Sequence, residues 1–418
     1  MSALSKPREA ALKALVLCEK DGAYLNIALR DILHDANMDA RDNALATALA
    51  MGVMKNVLFL DNIIENLSTI KLKKLSVWIH NILRIGIYSH RFLDRVPVSA
   101  TVNECVRLAR RYGHSSSAGF VNAILRKAAS SEDFLPSDKG SDKYISIKYS
   151  LPTWLVEMWK GEGYSEDFFA ALNLDPPVTV RLNTLKRSAL PEEFQKIPSL
   201  PHGYNYTGGG SVENTSFYKD GSIAVQDGAS QMAIMALDVK KDMRVLDLCS
   251  APGGKAAYIA QLLENSGEVI SCDIHEHKLE PIKNNLSRLG VANTKVIQND
   301  ATVKNEAFLE AFDRVLADVP CSGLGVLRRK PDIRLNKSPL ANEQLVKIQR
   351  EILENASCYV KKGGKLLYST CTVARNENED AIKEFSEKHP DFTLLEERQL
   401  LPNKDNTDGF FYASFERK

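Results

Sequence analysis

Long apolar runs are what this sequence most clearly lacks. No uninterrupted stretch approaches the ~18 apolar residues that a membrane-crossing helix needs, and the opening MSALSKPREA has no apolar centre of an export signal. The expectation is no membrane association and a cytoplasmic location. Paired cysteines are missing too: the seven (Cys18, Cys105, Cys249, Cys272, Cys321, Cys358 and Cys371) are odd in number, scattered, and contain no C-x-x-C. That argues against disulfides and structural zinc, and no metal is expected. Any cysteine chemistry would then be nucleophilic, although most free cysteines are simply small buried hydrophobes. Internal repeats and low-complexity tracts are absent, and 44% hydrophobic with 26% charged residues excludes a fibrous or globally disordered chain.

What is present is enough chain, 418 residues, for two or three separate cores. The net charge of +1 hides an uneven distribution, because residues 66 to 130 carry eleven Lys/Arg against two Asp/Glu. Such a surplus suits a nucleic-acid footprint; on charge alone a solvated basic helical face fits equally well.

Residues 1–129 read as helical throughout, with apolar spacings of three and four in REAALKALVLCEK, NALATALAMGVMKNVLFLDNIIENL and VWIHNILRIGIYSHRFL. Pro97 suits a helix start with Ser99 or Thr101 as cap, and Gly113 its end. The polar stretch 130–142, with Pro136 and Gly140, reads as a linker. Residues 143–240 mix the helical LPTWLVEMWKGEG with strand candidates VTVRLNTL and SIAVQDG, which suggests a small α+β domain. Residues 241–418 alternate strands RVLDLCS, EVISCDI, TKVIQND, DRVLADV and GKLLYST with helices, the grammar of a doubly wound, mostly parallel sheet. In ANEQLVKIQREILENASCYV, residues Leu345, Ile348, Ile352, Leu353 and Ala356 form one stripe for packing on that sheet.

In a doubly wound sheet the ligand crevice lies beyond the carboxyl ends of the strands. There the first strand breaks at Pro252 and the pair Gly253–Gly254 in CSAPGGK, where the backbone can approach a ligand. Asp273 ends the second strand about 20 residues later, at ribose-reaching distance, and Asp300 ends the third. Each aspartate alone could be a helix cap; the set is harder to explain that way. A dinucleotide site would show G-x-G-x-x-G, which CSAPGGK does not, so S-adenosylmethionine fits better than NAD. The fourth and fifth strands run into ADVPCSG, with Asp318 and Cys321, and YSTCT, with Cys371. Either cysteine alone would be unremarkable packing; two at the functional edge point to chemistry.

Together DLCSAPGGK, ADVPCSG and YSTCT resemble the RNA cytosine-5 methyltransferase superfamily, supported by TVRLNTLK (Arg181, Asn183), VQDGASQM (Gln226, Asp227, Ser230) and DGFFYA. VPVSATVNECVRLAR and GFVNAILRK resemble the NusB-like helical RNA-binding domain, and the combination is similar to the bacterial Fmu/Sun (RsmB) family of 16S ribosomal RNA methyltransferases. The resemblance implies an all-α NusB-like domain, a small α+β (RRM-like) domain and a Rossmann-like methyltransferase domain. It implies methylation of carbon 5 of a cytosine-967-type site in 16S rRNA, before or early in small-subunit assembly, by a monomer. Cys371 is then the nucleophile that adds to carbon 6, Cys321 assists release, and Asp318 hydrogen-bonds the ring. Cys249, Ser250, Ala251, Pro252, Gly253, Gly254, Lys255, Asp273, Asp300 and Asp318 are the implied cofactor contacts. This chain departs from the family at Ser250, usually alanine, at Lys278, usually arginine, and at RLNKS after PDI, where an aromatic residue is usual. A tRNA substrate and a non-catalytic RNA-binding protein are the competing readings.

Overall fold

The computed structural model describes residues 5–94, 96–336 and 339–418; Arg95 of the basic stretch and Lys337 and Ser338 of RLNKS lie outside the described residues. The chain forms two compact units: Met1–Leu174 with Leu327–Asn336, and Asp175–Val326 with Lys337–Lys418.

The first unit is helical: α1 (Lys6–Asp21), α2 (Leu25–Ala36), α3 (Ala40–Lys55), α4 (Val57–Leu67), α5 (Val77–Phe92), α6 (Val98–Tyr112), α7 (Ser117–Ser130), α8 (Asp142–Tyr149), α9 (Thr153–Gly161) and α10 (Glu166–Ala171). Leu12, Leu15, Leu49, Val53, Leu60, Ile82, Val121 and Leu125 meet in its core. The long helical run of the sequence breaks by 76° between α3 and α4. Asn56 makes the corner, its Nδ2 and backbone N–H both donating to Gly52 O at 2.9 and 3.2 Å. No single helix among the described residues is long and apolar enough to cross a membrane. Helix α6 begins at Val98 with Pro97 at the cap, so Ser99 and Thr101 lie inside its first turn and cap nothing, and Thr101 is buried. Gly113 does end it.

Helices α8–α10 join this first unit rather than the small α+β domain expected for residues 143–240. Their own aromatic cluster explains part of this, with Trp159 fully buried and edge-on to Phe168 at 5.3 Å. Arg334 supplies the rest. Fully buried in the short helix Ile333–Asn336, it donates from Nη1 to Lys55 O (2.7 Å), Ser150 O (3.2 Å), Tyr149 O (3.3 Å) and Asn173 Oδ1 (3.0 Å). Lys55 ends α3 and Tyr149 ends α8, so the cation sits at the negative ends of two helices.

The second unit holds two sheets. Strands β1 (Thr179–Leu182), β2 (Phe194–Lys196), β3 (Gly203–Tyr206) and β4 (Ile223–Val225) form a small antiparallel sheet ordered β2-β3-β1-β4. Strands β5 (Arg244–Asp247), β6 (Glu268–Asp273), β7 (Thr294–Gln298), β8 (Phe312–Asp318), β9 (Val360–Thr370), β10 (Phe392–Leu400) and β11 (Phe410–Arg417) form a larger one, ordered β10-β11-β9-β8-β5-β6-β7. Pairing is parallel from β9 through β7 and antiparallel at β9–β11–β10. Alternate residues feed two cores: Leu246, Val315, Leu366 and Phe411 face one side, and Val245, Leu316, Leu367 and Tyr412 the other. Helices α11 (Gly228–Ala236), α12 (Gly254–Leu262) and α13 (Glu276–Arg288) accompany the latter core. Helices α14 (Pro339–Tyr359) and α15 (Glu379–Lys388) accompany the former. Covering both faces is why the strands read as near-continuous apolar runs. This is the Rossmann-like sheet expected, and its direction of winding reverses between β5 and β8, where a crevice opens.

Candidate active site

The turn after β5 is shaped by Gly253, at φ +91°, whose N–H donates to Ser250 O at 2.6 Å before α12 begins at Gly254. A cleft of about 630 Å³ opens beyond the strand ends, lined by Cys249, Ala251, Asp273, Lys278, Asp300, Asp318, Cys321 and Cys371 among others. That volume suits a nucleoside-sized ligand. Asp273 Oδ1 accepts the His275 N–H (3.0 Å), and Asp300 Oδ1 accepts the N–H (2.9 Å) and hydroxyl (2.7 Å) of Thr302. Asp300 stands two residues beyond β7, not at its end. Of the helix α14 stripe, Ile352, Leu353 and Ala356 enter the core, while Leu345 and Ile348 also wall the cleft.

Not all of CSAPGGK lines this cleft. Ser250 Oγ is buried against Ser271 Oγ at 2.5 Å, and Pro252 and Gly254 face a separate groove with Tyr218 and Arg288. Lys255 Nζ is 2.6 Å from Asp318 Oδ2, while Asp318 Oδ1 accepts the Ser369 hydroxyl at 2.7 Å. Burial would push the Lys255 ammonium down, but the neighbouring Asp318 outweighs it and holds it up. The upstream motif residues brace the unit instead. Arg181, fully buried, bonds Gln226 Oε1 at 2.7 Å and Gln261, lies over the Tyr258 ring, and is pushed down to about 9 by burial. Asn183 bonds Gly221 O and Leu289 O.

The two cysteines meet. Cys321 Sγ and Cys371 Sγ are 3.0 Å apart, and Cys371 N–H donates to Cys321 Sγ at 3.2 Å. The hydrogen bond with Cys371, followed by burial, pushes the Cys321 thiol well up. Next to them the Ser322 and Thr372 hydroxyls lie 2.8 Å apart. The structure thus brings Cys249, Ala251, Asp273, Asp300, Asp318, Cys321 and Cys371 to one cleft, and sets Lys255 behind it as the partner of Asp318. Sequence reasoning missed Ser369, Gln349 and Glu377, which hold these groups in place. Gln349 had a signal, a polar side chain at the i+4 position of an apolar helical stripe. Glu377, in RNENED, had none.

Comparison with known proteins agrees with this fold. Residues 234–416 match the family described as 16S rRNA methyltransferase RsmB/F, and residues 5–130 match the NusB family. A probable ribosomal RNA small subunit methyltransferase B of Bacillus subtilis is 35% identical, over 98% of both chains. Ribosomal RNA small subunit methyltransferase B of Vibrio cholerae is 32% identical over 89% of each. The crystal structure of PH0851 matches over 100% of both chains with TM-score 0.84 at 28% identity. A methyltransferase homologue from Pyrococcus horikoshii matches 67% of this chain and 99% of its own, at TM-score 0.59 and 26% identity. With a NusB-type helical domain preceding a Rossmann-like sheet in the chain, the protein belongs to the 16S rRNA methyltransferase RsmB/F family of S-adenosylmethionine-dependent enzymes.

Proposed function

We propose that this chain methylates carbon 5 of a cytosine in 16S ribosomal RNA, at a cytosine-967-type position, through a covalent bond between Cys371 and carbon 6 of the ring. The observation that carries this reading is the convergence of Cys371, Cys321 and Asp318 on one cleft, with the two sulfurs 3.0 Å apart.

Carbon 5 of cytosine is too weak a nucleophile to attack a methyl group unaided. Addition of the Cys371 thiolate to carbon 6 converts the ring into an enamine and raises electron density at carbon 5. Asp318, held by Lys255 and Ser369, can hydrogen-bond the amide-like edge of the ring as charge shifts during addition. Cys249, Ala251, Asp273 and Asp300 line the cleft that would hold S-adenosylmethionine, which when bound would supply the electrophilic methyl group. The proton on carbon 5 must then leave and the Cys371–carbon 6 bond break, and Cys321, in contact with Cys371, assists that release. The NusB-like region, residues 1–129, grips RNA through its basic surface, and the protein acts as a monomer without metal.

Replacement of each cysteine tests this. Cys371→Ala should abolish methyl transfer to a 16S rRNA transcript and form no covalent conjugate, while S-adenosylmethionine still binds. Cys321→Ala should form the bond but release it slowly, so a protein–RNA conjugate accumulates on a denaturing gel. Trapping by Cys371→Ala and none by Cys321→Ala would reverse the roles. Conjugates with tRNA but none with 16S rRNA would move the substrate.

A further inference from the structure

Glu377 takes no part in the chemistry above, yet it is completely buried. Its Oε2 accepts hydrogen bonds from Ser322 N–H (2.9 Å) and Gln349 Nε2 (2.8 Å), and the same Gln349 nitrogen donates to Pro320 O at 2.9 Å. The peptides on both sides of Cys321 are therefore gripped by one amide–carboxylate pair. The next residue, Asn378, does the same for the other cysteine: its Oδ1 accepts the Thr370 hydroxyl (2.6 Å) and its Nδ2 donates to Thr372 O (3.1 Å). Asn378 is also completely buried. Two consecutive residues thus bracket Cys321 and Cys371 at once, and the Tyr368 hydroxyl, donating to Glu377 O at 2.7 Å, fixes the bracket itself.

A carboxyl group buried with no lysine or arginine among its hydrogen-bond partners in the described residues is costly to keep, and an apolar residue would pack there more cheaply. The hydrogen bonds it makes all serve the Cys321 loop. We propose that Glu377 and Asn378, with Gln349, are positioning residues that hold the Cys321 sulfur against Cys371, in the geometry product release requires. This rests on the roles of the two cysteines proposed above. Because Glu377 and Gln349 act through the Cys321 loop, losing either should impair release more than the first methyl transfer.

The test uses the full-length chain, an unmodified 16S rRNA transcript and S-adenosylmethionine, comparing single with multiple turnover. Alkylation of Cys321 by iodoacetamide across pH, without RNA, gives a second reading. In Glu377→Ala, multiple turnover should fall about tenfold or more while single turnover changes less than about threefold, and conjugate should accumulate. Glu377→Gln, whose amide oxygen can still accept from Ser322 and Gln349, should restore turnover. Gln349→Ala should repeat the alanine pattern by an independent route if Glu377→Ala does not fold. The alkylation midpoint of Cys321 should move down toward the ordinary thiol range in both alanine variants. Parallel loss of single and multiple turnover, with the alkylation profile unchanged, would overturn the proposal. If the wild-type chain neither methylates nor traps the transcript, the proposed function fails and the alkylation profile alone decides the bracket.

Discussion

Asp247, the last residue of β5, is completely buried two residues ahead of Cys249, where the CSAPGGK turn begins. Burial pushes its carboxyl up to about 7, against the pull of Ser250 and with a further upward push from the Asp318 charge, which Lys255 opposes. In the unfolded chain the same group ionises near ~3.9. Between those two values the folded state binds more protons than the unfolded one, so this residue makes stability fall as pH rises from about 4 to about 7, and flat beyond. The full effect is on the order of 4 kcal/mol, taking ~1.4 kcal/mol per pH unit. Asp247→Asn should therefore gain thermal stability relative to wild type as pH goes from 5 to 8. Denaturation curves of the two proteins that stay parallel across that range would rule this out.

At the scale of elements, the turn after β5 depends on Gly253. At φ +91°, with an added Cβ only 3.2 Å from Ile282 Cγ2, the site disfavours any side chain. Gly253→Ala should cost about 1–2 kcal/mol and weaken S-adenosylmethionine binding, since Cys249 and Ala251 of the same turn wall the cleft. A variant with unchanged melting temperature and cofactor affinity would show the turn to be tolerant. The strands beneath this turn were legible in the sequence because both their faces are buried, which leaves long apolar runs bounded by turn residues. The hairpin β10–β11 was not, since β10 keeps its middle residues largely exposed and so carries little apolar signal. The corner at Asn56 escaped notice for the opposite reason: apolar spacing continues across it, and only packing turns the chain. In the site, Asp273 and Asp318 were readable from their positions at strand ends, and Asp300, Cys321 and Cys371 from theirs just beyond. Glu377 was not, because what it does is set by hydrogen bonds to Ser322 and Gln349 far along the chain, and Asn378 was not, because its bonds to Thr370 and Thr372 depend on how the intervening loop folds back.

At the scale of the whole molecule, the basic stretch is less basic outside than its count suggests. Arg84 is buried and bonded to Asp61 (2.7 Å) and Glu19 (2.8 Å), whereas Arg110, Arg126 and Lys127 are exposed on α6 and α7. Reversing those three to Glu should weaken 16S rRNA binding and flatten its log–log salt dependence by about 2 units, at ~0.7–0.9 per phosphate contact. Cofactor binding should be untouched. An unchanged slope would place the RNA footprint elsewhere. Point reversals are the right instrument here, because deleting residues 1–129 would strip α8–α10 and Arg334 of the helices they pack against.

Arg334 also sets a schedule for synthesis. The first unit is complete through Leu174 except for Leu327–Asn336, which leaves the ribosome about 160 residues later. At ~5–20 residues per second that is a wait of roughly 8–30 s. Throughout it, the carbonyls at the ends of α3 and α8 have no guanidinium to receive, so the nascent helical unit stays unfinished while the chain that will complete it is still being translated.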